Sequence, residues 1–268
     1  MLFRSGSAWV QVGGDIDGEA AGDQSGHSVA LPADGTRVAI GAFGNDGNDS
    51  TDSKRGHVRV YDWTGSAWSQ LGPDIDGETA TDYSGWSVAL SADGTRVAIG
   101  APYNDGNDST DSRRGQVRVY DWTGSAWSQV GPDINGEAAG DESGHSVALS
   151  ADGTRVAIGA FRNDGNDSTD LQRGHVRVYD WTGSAWSQLG PDIDGEAAGD
   201  RSSSSVALSA DGSRVAIGAY SNDGNGTNSG HVRAYDWTGS AWAQVGADIN
   251  GENAGDYSGY SVALSSDG

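Results

Sequence analysis

Short apolar runs separated by Gly- and Asp-bearing turns recur along the whole chain. One stretch reads SVAL (Ser87–Leu90), the turn SADGT, RVAIGA (Arg96–Ala101), an acidic loop, and QVRVYDW (Gln116–Trp122). The turn TGS, the run AWSQVG at 126–131 and a second acidic loop, PDINGEAAGDESG, complete it. Apolar and polar positions alternate in VRVY, which is the period of a half-buried strand. β-Branched residues suit a pleated surface, and Asp-Gly favours a tight hairpin. The small residues of AIGA let neighbouring sheets approach closely. Each stretch therefore predicts four short antiparallel strands.

The stretch is a repeat. SAW begins at Ser7, Ser66, Ser125, Ser184 and Ser240, so the unit is 59 residues long three times and 56 once, the loop after Tyr220 being three residues shorter. Four strands at this period predict an all-β fold, a β-propeller of four-stranded antiparallel blades. Complete blades are expected at about 27–72, 86–131, 145–190 and 204–246, with a partial blade made by strands at 7–13 and 260–268, all in one domain over 1–268. A solenoid of stacked β-units is the alternative. Because the chain opens in mid-unit, the expectation is an incomplete N-terminus, with the missing strands supplied by a longer chain or by a second one.

In an up-and-down meander, alternate connections fall on opposite rims. The turns between strands one and two and between strands three and four share one rim; the long loops share the other. In the second unit the long-loop rim carries Asp74, Asp76, Glu78, Asp82, Asp105, Asp108 and Asp111, against Asp93 and Asp121 on the short-turn rim. The whole chain has a formal charge of −22, which repels nucleic-acid phosphate. No apolar run approaches the roughly 20 residues of a membrane helix. With no cysteine, no disulfide staples the loops.

The run SGHSVALSADGTRVAIGAFRNDGN followed by RGHVRVYDW, starting at Ser143, resembles the FG-GAP repeat, the blade unit of the integrin α-subunit propeller and its microbial relatives. The likeness extends over essentially the entire chain. The FG dipeptide is SG here (Ser25-Gly26, Ser84-Gly85, Ser143-Gly144, Ser258-Gly259) and Ser202-Ser203 in the fourth copy; GAP is intact once, at Gly100-Ala101-Pro102. The family's inter-blade Phe must then be replaced by other aromatics. The resemblance implies an extracellular or cell-surface, non-enzymatic binding or adhesion module with a protein or glycan ligand. A structural protein completed by another copy of itself is the second possibility.

Oxygen-bearing residues stand at positions 1, 3, 5 and 9 of the loop that joins one unit to the next. They are Asp15, Asp17, Glu19 and Asp23; Asp74, Asp76, Glu78 and Asp82; Asp133, Asn135, Glu137 and Asp141; Asp192, Asp194, Glu196 and Asp200; and Asp248, Asn250, Glu252 and Asp256. Such alternation lets successive oxygens converge on calcium, which takes about six to eight of them. The integrin relatives imply a similar pattern, D-x-D-x-D-G-x-x-D, in the loop between strands one and two. Here the host loop differs and Gly is at position 4, so the calcium candidate rests on oxygen spacing. The competing reading is a structured turn, with Asp capping backbone amides and Ile16 anchoring the loop.

The other acidic loop, NDGNDSTD at 45–52, keeps an N-x-[ST] acceptor in every copy, at Asn48, Asn107, Asn166 and Asn225, while losing its second and third Asp in the fourth. It reads as a turn and a glycosylation candidate. His27 and His145 are replaced by Trp86, Ser204 and Tyr260 at equivalent places. His57, His175 and His231 are matched by Gln116, which reads as strand-edge filling rather than as catalysis or metal ligation. The Trp pairs flanking TGS read as packing across the hairpin or between blades.

Overall fold

The computed structural model describes residues 8–47, 53–106, 112–165 and 171–268, and the backbone of Leu2–Ser5. Among them there is no helix, so none long and apolar enough to cross a membrane. A hairpin of β1 (Leu2–Ser5) and β2 (Ala8–Gln11) is followed by four blades. The first holds β3 (Ser28–Ala30), β4 (Arg37–Ala42), β5 (His57–Trp63), β6 (Trp68–Gln70) and β7 (Ile75–Asp76). The second holds β8 (Ser87–Leu90), β9 (Arg96–Ala101), β10 (Gln116–Trp122), β11 (Trp127–Gln129) and β12 (Ile134–Asn135). The third holds β13 (Ser146–Leu149), β14 (Arg155–Ala160), β15 (His175–Trp181), β16 (Trp186–Gln188) and β17 (Ile193–Asp194). The fourth holds β18 (Ser205–Leu208), β19 (Arg214–Ala219), β20 (His231–Trp237), β21 (Trp242–Gln244) and β22 (Ile249–Asn250).

Each blade is an antiparallel meander whose fourth strand comes in two pieces. β10 pairs with β11 through Tyr120–Trp122 and with β12 through Gln116 and Val117. The break follows from the packing between blades. A Cβ on Gly72, whose φ is +75°, would lie 2.7 Å from the Trp122 ring of the next blade, so the outer strand must leave the ladder there. In the four blades the first half of the loop leaving the outer strand is therefore still part of that strand. Residues 260–268 form no strand; Val262 N–H donates to Ser205 Oγ (3.1 Å) along the fourth blade.

The core lies between blades. Val58, Val60 and Ile75 of the first blade pack with Val97, Ile99 and Tyr120 of the second, and the same set recurs between the later pairs. The first strands of consecutive blades lie side by side around the axis. Here the small residues of AIGA matter, since a Cβ on Gly100 would come within 2.0 Å of the Gly144 carbonyl oxygen. Ser87 Oγ donates to that same oxygen at 2.8 Å. In the fourth copy Ser203 takes the place of the glycine by adopting a φ of 73°.

Two further contacts repeat from blade to blade. The amides of Ala33, Ala92 and Ala151 donate to the carbonyls of Ala92, Ala151 and Ala210 (2.7–3.0 Å), stitching the strand-one turns into a row. Trp68, Trp127, Trp186 and Trp242 donate their indole N–H to Val12, Leu71, Val130 and Leu189 of the preceding unit. The tryptophans thus pack between blades. Nearer the axis, Trp86 meets Phe43, Tyr103, His27 and His145, with ring centroids 4.7–6.2 Å apart.

Candidate functional site

The two kinds of long loop share a rim, as the meander requires: Asn45, Asn104, Asn163 and Asn222 of one kind donate to Asp23, Asp82, Asp141 and Asp200 of the other (3.0–3.1 Å). These aspartates, at position 9 of the unit-joining loop, are buried and serve the turn. Asp82 Oδ2 also accepts from the Glu78 and Thr79 amides, and Asp141 from Ala138. Burial raises the Asp141 pKa against the lowering effect of those bonds. Asp256 accepts from the Asn253 amide at 2.8 Å.

Position 3 acts through its backbone. The carbonyls of Asp17, Asp76, Asn135 and Asp194 accept from Arg59, Arg118, Arg177 and Arg233 of the following blade (2.7–2.9 Å). Positions 1 and 5 are brought together, but from different loops. Glu19 from the loop entering the first blade meets Asp74 from that blade's own outer strand, with His57 between them. Glu137, His175 and Asp192 repeat the arrangement, as do Glu196, His231 and Asp248; in each trio one ligand-type atom per residue lies within 4.8 Å of the others. These clusters could hold a metal ion.

Each cluster is built in the same way. His57 Nδ1 lies 3.9 Å from Glu19 Oε2 and 3.7 Å from Asp74 Oδ2. The other oxygens are committed elsewhere, Glu19 Oε1 facing Arg59 at 3.6 Å and Asp74 Oδ1 accepting from Gln70 at 2.6 Å. His175 Nδ1 faces Glu137 Oε2 and Asp192 Oδ2 (3.8 and 3.9 Å), and His231 Nδ1 faces Glu196 Oε2 at 3.7 Å. All three imidazoles are 1% exposed, and their Nε2 atoms have no hydrogen-bond partner among the described residues. Burial pushes the His175 pKa down to about 4, with Arg177 adding to it and Asp192 opposing. Burial lowers His57 and His231 likewise, leaving neutral rings, the form that ligates metals.

The second blade is the exception. Gln116 occupies the histidine position and donates to Glu78 Oε2 at 2.9 Å, while Asp133 accepts from Gln129 at 2.7 Å. The first loop's Asp15 accepts from Gln11, and the last loop's Asp248 from Gln244. Glu252 and Asn250 follow in that last loop, Asn250 paired with His231 across the ladder. The histidines were the residues missed by reading each loop alone. Their restriction to His or Gln, both able to meet a carboxylate, was the available signal.

In the other long loop, Asn45 Oδ1 accepts from the Gly47 amide and Asp46 from the Lys54 amide, a built turn. Asn48, Asn107 and Asn166 lie outside the described residues. Asn225 is exposed, with its side-chain nitrogen donating to the Gly251 carbonyl.

Residues 75–120, running from one outer strand through three strands of the next blade, match the FG-GAP repeat family. That segment is an FG-GAP repeat. No curated protein sequence matches the chain. Among solved structures, a Bacteroides uniformis protein named "putative 6-phosphogluconolactonase" aligns with a TM-score of 0.56 and 10% identity over 91% of this chain and 60% of its own. Hydrazine synthase of Kuenenia stuttgartiensis aligns with a TM-score of 0.49 and 14% identity over 88% of this chain and 53% of its own. The chain thus spans a little over half of each, and the first likeness is one of fold alone.

Proposed function

We propose that the chain is an FG-GAP repeat propeller throughout and a non-enzymatic binding module of the extracellular space or cell surface, presenting its acidic long-loop rim to a protein or glycan partner with calcium holding that rim. The observation that carries the reading is the meeting of carboxylates from successive loops at blade interfaces, such as Glu19 with Asp74. Like charges drawn together repel unless a cation lies between them. A binding rather than a catalytic role is favoured because the same cluster recurs at three interfaces, and the second blade departs from it only by Gln116, an uncharged amide. Extracellular modules bind calcium with dissociation constants of about 10⁻⁴–10⁻³ M. Calcium at roughly ten times that constant adds about 1.4 kcal/mol per site. Thermal melts of chelator-treated protein should therefore rise with millimolar calcium, and an unchanged melting temperature would refute the calcium claim.

A second reading, a chain completed by another copy, is favoured by the end blades. Val29 and Leu31 are 59% and 49% exposed, whereas Val88 and Leu90 pack against the neighbouring blade. At the other end Ile249 is 64% exposed, against 5% for Ile75, Ile134 and Ile193. Light scattering separates the two, since a strictly monomeric mass at high concentration excludes self-completion.

A further inference from the structure

We infer that three blade interfaces are zinc-class metal sites, at Glu19–His57–Asp74, Glu137–His175–Asp192 and Glu196–His231–Asp248, and that the interface at Gln116 is not. The inference rests on the same meeting of carboxylates as the proposed function but changes the ion there: imidazole is a ligand for borderline ions such as Zn²⁺, so these three interfaces take zinc and calcium is left to the other rim carboxylates.

Three features support a built site rather than a chance gathering of acids. The imidazole is buried and, at His231, neither ring nitrogen has a hydrogen-bond partner among the described residues. The Nδ1-to-carboxylate separations of 3.7–3.9 Å are too long for hydrogen bonds. Metal–ligand bonds of about 2.0–2.2 Å set neighbouring ligand atoms roughly 3–4 Å apart, the same spacing. Finally, both carboxylates are oriented by their second oxygens. Arg59, Arg177 and Arg233 face Oε1 of the glutamates, and Gln70, Gln188 and Gln244 donate to Oδ1 of the aspartates. Outer partners of this kind hold metal ligands in place. One oxygen of each acid is left turned toward the ring in the first two trios.

The ligands come from two consecutive units, so an ion at each site would tie one blade to the next. Two protein carboxylates and one imidazole leave a tetrahedral ion one position for water. The second blade supplies the internal control. Gln116 keeps the strand register of its histidine counterparts, pairing with Asn135 as His57 pairs with Asp76. Its amide nitrogen occupies the Glu78 oxygen that an ion would need.

The test is metal content and calorimetry on the full chain, stripped with chelator and titrated with Zn²⁺ in the presence of millimolar calcium. Three equivalents are expected, with Co²⁺ giving the visible absorption of histidine–carboxylate coordination. Each of His57→Gln, His175→Gln and His231→Gln should remove one equivalent, and the triple variant all three. Gln116→His should add a fourth. Glutamine is already accommodated at this position in the second blade, and far-ultraviolet dichroism checks that each variant is folded. Absence of zinc binding, zinc retained by the triple variant, or an unchanged count in Gln116→His would each overturn the inference. The calcium-dependent melt of the triple variant is read separately. A calcium shift without zinc uptake sinks this inference alone, and zinc uptake without a calcium shift sinks only the calcium reading.

Discussion

On the short-turn rim, Arg96 holds Asp121 with two hydrogen bonds (2.6 and 2.7 Å) and extends a third to the Gly153 carbonyl of the next blade. Arg37, Arg155 and Arg214 do the same with Asp62, Asp180 and Asp236. On the long-loop rim, arginines face one oxygen of each interface glutamate at 3.6–3.9 Å, while the other oxygen turns toward His or Gln. The same residue types thus close one rim and leave the other able to accept something more. Paired charge and open charge therefore lie at opposite ends of the blades.

Acid should separate the rims most clearly. Burial, helped by His27 and Arg162 and opposed by a hydrogen bond to the Ser204 backbone, brings His145 on the long-loop side from 6.5 down to about 4. The unfolded chain therefore takes up this proton first. Stability falls as pH drops from about 6.5 to 4 and levels off below, a loss of about 3 kcal/mol from this residue. Beside it, burial also raises the pKa of Glu142, against Arg162 and Arg113. On the short-turn rim, hydrogen bonds from Ser213 and Ser209 hold Asp211 at about 2, and Arg214 lowers Asp236. Denaturant melts across this range should show a shallower pH slope in His145→Ser, the residue type that the fourth unit carries as Ser204. An unchanged slope would contradict the assignment.

A smaller effect is expected from Arg96→Met, which keeps the stem but removes a bidentate, charge-assisted clamp. The loss should be about 2 kcal/mol in urea unfolding at neutral pH. The smallest belongs to the exposed Asp17, whose contribution to the blade interface is its carbonyl. Asp17→Asn should change stability by no more than about 0.5 kcal/mol in the absence of calcium. A loss as large as that of Arg96→Met would dissolve the contrast between the rims.

Most of the blade was legible because strand period and turn chemistry are local. SVAL, RVAIGA and QVRVYDW form strands with the boundaries their alternation implies. The broken outer strand was not, because its cause is the Trp122 ring of another blade pressing on Gly72. The candidate site was half legible. Carboxylate spacing pointed to the loops that carry the clusters, but the oxygens do not converge within one loop. Position 9 is taken by backbone amides, position 3 offers a carbonyl, and positions 1 and 5 find each other across an interface. The histidines, read as filling, turned out to be the most enclosed members of those clusters.

The row of bonds joining Ala33, Ala92, Ala151 and Ala210 uses only main-chain atoms, as do the Gly94, Gly153 and Gly212 acceptors of the arginine clamps. At these positions a blade meets its neighbour through backbone shape, whatever side chains the acceptors carry. A unit that keeps the inter-blade apolar set can therefore be duplicated or deleted by recombination without breaking this row, and loop length can vary within a copy, as the shortened fourth loop already does.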